Sequence, residues 1–157
     1  LSRLPAIGPI GAETTFTAMD GFGLRFHHLG WIVRAPDAAF RFLAALGYHA
    51  GNTAFDPLQN VNLAMRHHPE MPDVEVIWPA DGPSPIDLLL KRGNMIYHVC
   101  YVTDDAAASL AAMAAAGLDV LPVGEAKPAR LFGGSLVSFH TIDDVGLIEF
   151  IHGEPAQ

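Results

Sequence analysis

Residues 25–48 read RFHHLGWIVRAPDAAFRFLAALGY, and residues 95–118 read MIYHVCYVTDDAAASLAAMAAAGL. Each stretch opens on a run rich in β-branched and aromatic residues, which favours extended chain. Each continues into an Ala-rich segment that opens near an Asp: Asp37 in the first, Asp104 or Asp105 in the second. Asp is a favoured helix start. Each helix stops at a Gly, the residue best suited to a left-handed helix end. The spacing from His28 to Gly47 is 19 residues, and so is that from His98 to Gly117. The two stretches therefore form an internal repeat with a period of about 70 residues.

The segments after the two glycines are also alike. A short strand is expected at 48–50, a second at 60–65 and a third at DVEVIWP, residues 73–79. The matching set is 119–121, 134–142 (GSLVSFHTI) and 145–151 (VGLIEFI). Each half thus reads strand, helix, three strands. Between them SPIDLLLKRG reads as a short helix with Pro85 in its first turn. Residues 1–23 are punctuated by Gly and Pro and read as an N-terminal arm. One folded unit is expected over 24–153. Its first module spans about 25–80, its linker helix about 84–92 and its second module about 95–152.

Composition narrows the function. Half of the 157 residues are apolar and 17% are charged, as in a packed globular chain. The formal net charge is -8, and no basic run is present, which argues against nucleic-acid partners. No apolar run approaches a membrane span, and the N-terminus does not read as a signal peptide. The one cysteine, Cys100, excludes an internal disulfide and a Cys-rich zinc site. It fits a reducing, cytoplasmic setting and reads as a small buried hydrophobe.

Two residue types recur at matching places. His28 and His98 lie in the opening strands, and Glu75 and Glu149 lie in the closing ones. Strand residues alternate between faces, so Ile96, His98, Cys100 and Val102 are expected on one face, and His27 opposite to His28. His28 is preferred over His27 because it shares the Gly offset of His98. A strand imidazole alone is commonly a hydrogen-bonded core residue, but four polar residues recurring in register point to a shared task. A buried carboxylate is costly unless paired or bound to a cation. Two His and two Glu make a donor set suited to Zn, Co, Ni, Mn or Fe. His67 and His68 lie in RHHPEMP, a Pro-rich loop expected at the surface. His140 and His152 stand outside the repeat. No Gly-rich phosphate loop is found.

The quoted features resemble the vicinal oxygen chelate superfamily, which includes glyoxalase I, methylmalonyl-CoA epimerase, extradiol dioxygenases and bleomycin-resistance proteins. The resemblance covers about 25–152 and is strongest to the epimerases, through HHLGWIV, EVIWP with SPIDLLLKRG, IYHVCYVTDD and GLIEF. It implies an α+β fold of two tandem βαβββ modules forming a cupped mixed sheet around a central metal site. It places metal ligands on His28, Glu75, His98 and Glu149. Epimerases often carry Gln where this chain has Glu75. Some carry a catalytic carboxylate in the middle strand of the first module, where the counterpart here is Asn62, which cannot act as a base. Lys91, Arg92, Lys127 and Arg130 are the cations near the expected rim.

The activity implied is that of a metal-dependent epimerase or isomerase. It would stabilise an enolate of a small carbonyl or acyl-thioester substrate, with Glu149 or Glu75 as the catalytic base. The alternatives are a glyoxalase I-like lyase, a non-haem Fe(II) dioxygenase using His28, His98 and Glu149, and a drug-binding protein without catalysis. A homodimer is the usual assembly of such proteins.

Overall fold

The computed structural model describes residues 21–155. Most of the arm read over 1–23 therefore lies outside the described residues. Gly21–Gly23 forms a 3-10 turn leading into β1 (Leu24–Ile32). The order is then α1 (Asp37–Ala45), β2 (His49–Asp56), β3 (Val61–His67), β4 (Asp73–Pro79), α2 (Asp87–Leu90), β5 (Met95–Thr103) and α3 (Ala106–Ala115). β6 (Val120–Pro122), β7 (Lys127–Pro128), a 3-10 turn (Arg130–Phe132), β8 (Leu136–Ile142) and β9 (Gly146–His152) complete it. Among the described residues no helix is long and apolar enough to cross a membrane.

All nine strands join one mixed sheet in the order β2-β3-β4-β1-β5-β9-β8-β6, with β7 paired to β8. The order is symmetric about the antiparallel β1–β5 seam. On either side the opening strand pairs in parallel with its module's closing strand, β1 with β4 and β5 with β9. This is the α+β, repeat-built mixed sheet that the sequence implies.

The helices cover one face. Ala39 and Leu43 of α1 pack on Val33, Val74 and Val76. Met113 of α3 packs on Ile142, Ile148 and Phe150. Asp105 caps α3 by accepting a hydrogen bond from the Ala108 N–H at 2.9 Å. The buried Ser109 and Thr103 hydroxyls, 2.8 Å apart, tie the same helix to β5. The helices α1 and α3 stop as expected, with Gly47 at φ 95° and Gly117 at φ 82°. The other face gathers Ile32, Val61, Ile77, Ile86 and Leu90 at one end, and Met65, Cys100, Leu131 and Phe132 at the other.

Several local expectations are corrected. β2 is longer than a three-residue strand. Pro85 precedes α2, which starts at Asp87. There Ser84 N–H donates to the Asp87 carboxylate at 2.9 Å. His67 belongs to β3 rather than to a loop. The segment between β6 and β8, with β7 and Leu131–Phe132, has no counterpart in the sequence reading.

Two register breaks on the β1–β5 seam matter more. Phe26 pairs with Tyr101 and His28 with Cys100, leaving His27 as an extra residue. Gly30 pairs with His98 and Trp31 with Ile96, leaving Tyr97 as an extra residue. A bulge re-aims the side chains around it. The alternation expected through Ile96–Val102 therefore fails at its first member. Ile96 is exposed, while Tyr97 packs against the Ile32–Ile77 cluster.

Candidate metal centre

In each module the His and Glu share a face through the same register. Gly30, two residues beyond His28, pairs with Glu75. Cys100, two residues beyond His98, pairs with Glu149. Across the seam His98 lies against Gly30 and His28 against Cys100. Each imidazole thus sits over the small residue of the other module. The fit at Gly30 is tight: a Cβ there would lie 2.1 Å from Cε1 of His98.

The structure brings together the four residues that the repeat singles out. His28 is fully buried, His98 is 2% exposed, and Glu75 and Glu149 are each 4% exposed. The Nε2 atoms of His28 and His98 are 3.3 Å apart. His28 Nε2 lies 3.5 Å from Glu75 Oε2 and 3.4 Å from Glu149 Oε2. His98 Nε2 lies 3.6 and 3.3 Å from the same two oxygens. One donor atom from each residue therefore lies within 4.8 Å of the other three.

The donor set fits a divalent cation. Among the described residues the buried Glu149 Oε2 meets no well-aligned hydrogen-bond donor, only the two imidazole Nε2 atoms at 3.3 and 3.4 Å, an expensive state for a carboxylate oxygen unless positive charge faces it. Two carboxylates and two imidazoles supply the charge and the borderline donors that such ions favour. His28, His98, Glu75 and Glu149 are the residues that would hold it.

Electrostatics within the cluster point the same way. Burial opposes charge on His98, but Glu149 and Glu75 outweigh it and hold its pKa above 6.5. Burial opposes charge on Glu149 as well, yet His98 and His28 keep it below 4.5. The sign of the resulting pH dependence is fixed by linkage. The His98 contribution to stability is complete below pH 6.5 and is lost as pH rises through the raised value. The Glu149 contribution is complete above pH 4.5 and is lost as pH falls through the lowered value. Chelator-treated protein is thus expected to be most stable between pH 4.5 and 6.5. Thermal unfolding across pH would check this, and a midpoint that climbs steadily above pH 6.5 would contradict it.

The bulges place two further side chains beside the cluster. His27, expected on the opposite face, instead brings its Nδ1 to 2.7 Å from Nδ1 of His28. Burial, then the neighbouring His28, hold His27 below its ordinary 6.5. Tyr97 stacks edge-on against His98 with ring centroids 4.6 Å apart. Burial, then Glu75 and Glu149, push its phenol well above 10, so it stays protonated. Cys100 lies within ligand distance of His27 and His28. Burial, then Glu149, push its thiol well above 9, so it remains a poor thiolate donor.

Asn62 does not face this centre. Met65 pairs with Glu75 and shares its face, so Asn62, three residues earlier, lies on the other one beside Trp78. The first-module middle strand offers Leu63 and Met65 to the inner face, and neither is a base; His67 at the end of the strand shares that face and lines a second cavity with His27, Met65 and Phe132. The remaining histidines do not belong to the four-residue cluster. His67 Nδ1 pairs with Asp73 at 2.6 Å, and His68 Nδ1 accepts from the N–H groups of Glu70 and Met71. Phe139 pairs with Glu149, so its neighbours Ser138 and His140 face away from the cluster. The Ser138 hydroxyl bonds His140 and His152 at 3.1 and 2.8 Å.

A cavity of about 250 Å³ reaches Glu149. Its walls include Leu58, Leu63, Pro85, Leu131 and Phe139, and Lys127 lies at its edge. Glu75 does not line it. His27, Gly30, Tyr97 and Phe132 are the neighbours of the centre that the sequence reading missed. A glycine inside a strand, which signals close approach of another group, was the one sequence cue.

Comparison with known proteins agrees with this architecture. The structure is similar to methylmalonyl-CoA epimerase from Mycobacterium tuberculosis, at 24% identity over 86% of this chain and 89% of that one, with a TM-score of 0.66. It is similar to a hypothetical protein from Bacillus halodurans, at 21% identity over 85% and 97%, with a TM-score of 0.70. It is also similar to Streptomyces coelicolor methylmalonyl-CoA epimerase in complex with 2-nitronate-propionyl-CoA, at 24% identity over 82% and 96%, with a TM-score of 0.61. No curated protein matches the sequence. The family model described as glyoxalase/bleomycin resistance protein/dioxygenase superfamily matches residues 27–139, most of the chain, and the chain belongs to that superfamily.

Proposed function

We propose that this chain is a metal-dependent enzyme of the epimerase or isomerase type that removes a proton next to a carbonyl. One observation carries the reading. Two imidazoles and two carboxylates converge in one buried cluster, and one of the carboxylates, Glu149, lines a largely apolar cavity. A divalent ion held there would act as a Lewis acid on substrate oxygens, worth several kcal/mol in the transition state.

The protein's own groups do the rest. Leu58, Leu63, Leu131 and Phe139 take up the apolar body of the substrate and keep water from Glu149. Glu149 is the base, because its carboxylate borders the cavity. While paired with His98 and His28 it is a weak base. It becomes effective when the approaching substrate loosens that pairing. Lys127 lines the same cavity together with Asp56 and Glu125, so the wall carries both signs of charge and suits a simple carbonyl compound as well as an acyl thioester. The 2-nitronate-propionyl-CoA complex of the Streptomyces coelicolor epimerase supports that class.

The fourth protein donor, Glu75, weighs against the oxygenase alternative, which needs open positions for oxygen and substrate. The intact donor set weighs against simple drug sequestration. Metal content by mass spectrometry tests the reading. Wild type is expected to carry roughly one divalent ion per chain, and His98→Ala to lose it. Wild type that takes up no metal after reconstitution with Co, Ni, Mn, Zn and Fe would overturn it.

A further inference from the structure

We propose that His27 is a positioning residue that fixes the ring of His28 for its task; this rests on the metal-centre reading. The bulge at His27 places two adjacent imidazoles Nδ1 to Nδ1 at 2.7 Å. Nitrogens that close need one proton between them, carried by one ring and accepted by the other. The other nitrogen of His28 faces Glu75 and Glu149 at 3.5 and 3.4 Å.

A cation can take a lone pair only from a bare Nε2. His28 must then carry its proton on Nδ1, and among the described residues His27 Nδ1 is the acceptor placed to receive it. A histidine ligand commonly donates through its second nitrogen in this way, and the partner sets ring angle and tautomer. Here that partner is another imidazole, which can donate as well as accept. The bond can therefore persist without a cation, with its polarity reversed, and His28 Nε2–H then faces the carboxylates. Phe132 holds the pair from one side, edge-on to His27 and tilted over His28, with both centroids at 5.5 Å.

The second module solves the same problem differently. His98 Nδ1 is buried and without a partner among the described residues, and its ring is held by the fit over Gly30. The two halves of the repeat thus position their imidazoles by different means, one by a hydrogen bond and one by shape.

The test compares wild type, His27→Phe and His27→Gln. Cobalt(II) affinity is read from visible absorption, and ring tautomers from ¹⁵N-detected NMR of the zinc-loaded protein. His27→Phe is expected to bind cobalt about 10- to 100-fold more weakly. His27→Gln, whose side-chain carbonyl can accept the same proton, is expected to recover most of that loss. A purely structural role for His27 would not give this rescue. Zinc-loaded wild type is expected to show His28 protonated at Nδ1 and protected from exchange.

Wild-type cobalt affinity in His27→Phe, or no recovery in His27→Gln, would overturn the positioning role alone. An unprotected or absent Nδ1 proton on His28 in zinc-loaded wild type would do so without any variant. Two cations per chain in wild type, falling to one in His27→Phe, would instead make His27 a ligand with His28 and Cys100 and overturn the proposal. No cobalt uptake by wild type would overturn the metal-centre reading itself.

Discussion

Gly30→Ala is expected to destabilise the metal-free protein by about 3 kcal/mol and to disable the metal centre as well. The added Cβ would lie 2.1 Å from Cε1 of His98 and 2.4 Å from both of its ring nitrogens. The obstacle is a buried ring in a sheet seam, not the free end of a flexible side chain. His98 cannot step aside cheaply, because Tyr97 and Phe139 pack edge-on against it with centroids 4.6 and 5.6 Å away. Either the seam opens or the imidazole leaves its place between Glu75 and Glu149. Both routes cost folding free energy, and the second also removes a donor. Chemical denaturation and cobalt titration read the two consequences separately. A Gly30→Ala protein with wild-type stability and wild-type affinity would show that the seam is far softer than this packing implies.

The two carboxylates are expected to respond unequally to the same conservative change. Glu149→Gln is expected to abolish exchange of a substrate proton with solvent, a fall of at least about 1,000-fold. Glu75→Gln is expected to keep exchange within about 10-fold of wild type, since the amide still offers an oxygen donor. The difference comes from placement. Glu149 borders the cavity, and Glu75 does not. Glu149→Gln keeps the shape of the side chain, so thermal unfolding should confirm that the fold survives. Deuterium incorporation from heavy water into a carbonyl or thioester substrate, followed by NMR, gives the readout. Full exchange in Glu149→Gln would remove it as the base. Complete loss in Glu75→Gln with exchange retained in Glu149→Gln would invert the assignment.

Much of this architecture was legible in the sequence. The helix stops at Gly47 and Gly117 and the matched His-to-Gly spacing were enough to reveal the repeat. The repeat then placed two His and two Glu on equivalent strands. Two of the features that were not legible share a cause. A bulge adds one residue without altering the apolar-polar pattern enough to announce itself, so His27 and Tyr97 looked as though they faced away. Strand parity is equally fragile. Asn62 looked like the base position, yet a shift of one residue exchanges the faces, and Leu63 takes the inner one. Leu131 and Phe132 were invisible for a different reason. They sit on a short turn with no period of its own, and only the tertiary fold carries them into the core.

The division of the four residues between the two modules has a consequence for how the proposed centre would acquire an ion. His28 and Glu75 come early in the chain, and His98 and Glu149 come late. During synthesis the first module alone offers two donors, too few for a tight site. The set closes only when β9, the last strand of the described residues, has paired with β5, and β5 with β1. Selection of a metal at the proposed centre would therefore fall to the finished fold, not to the emerging chain. An unfolded chain with eight histidines would take ions in the order of their intrinsic affinity for imidazole. A rigid four-donor cleft assembled beforehand can choose by size and charge instead.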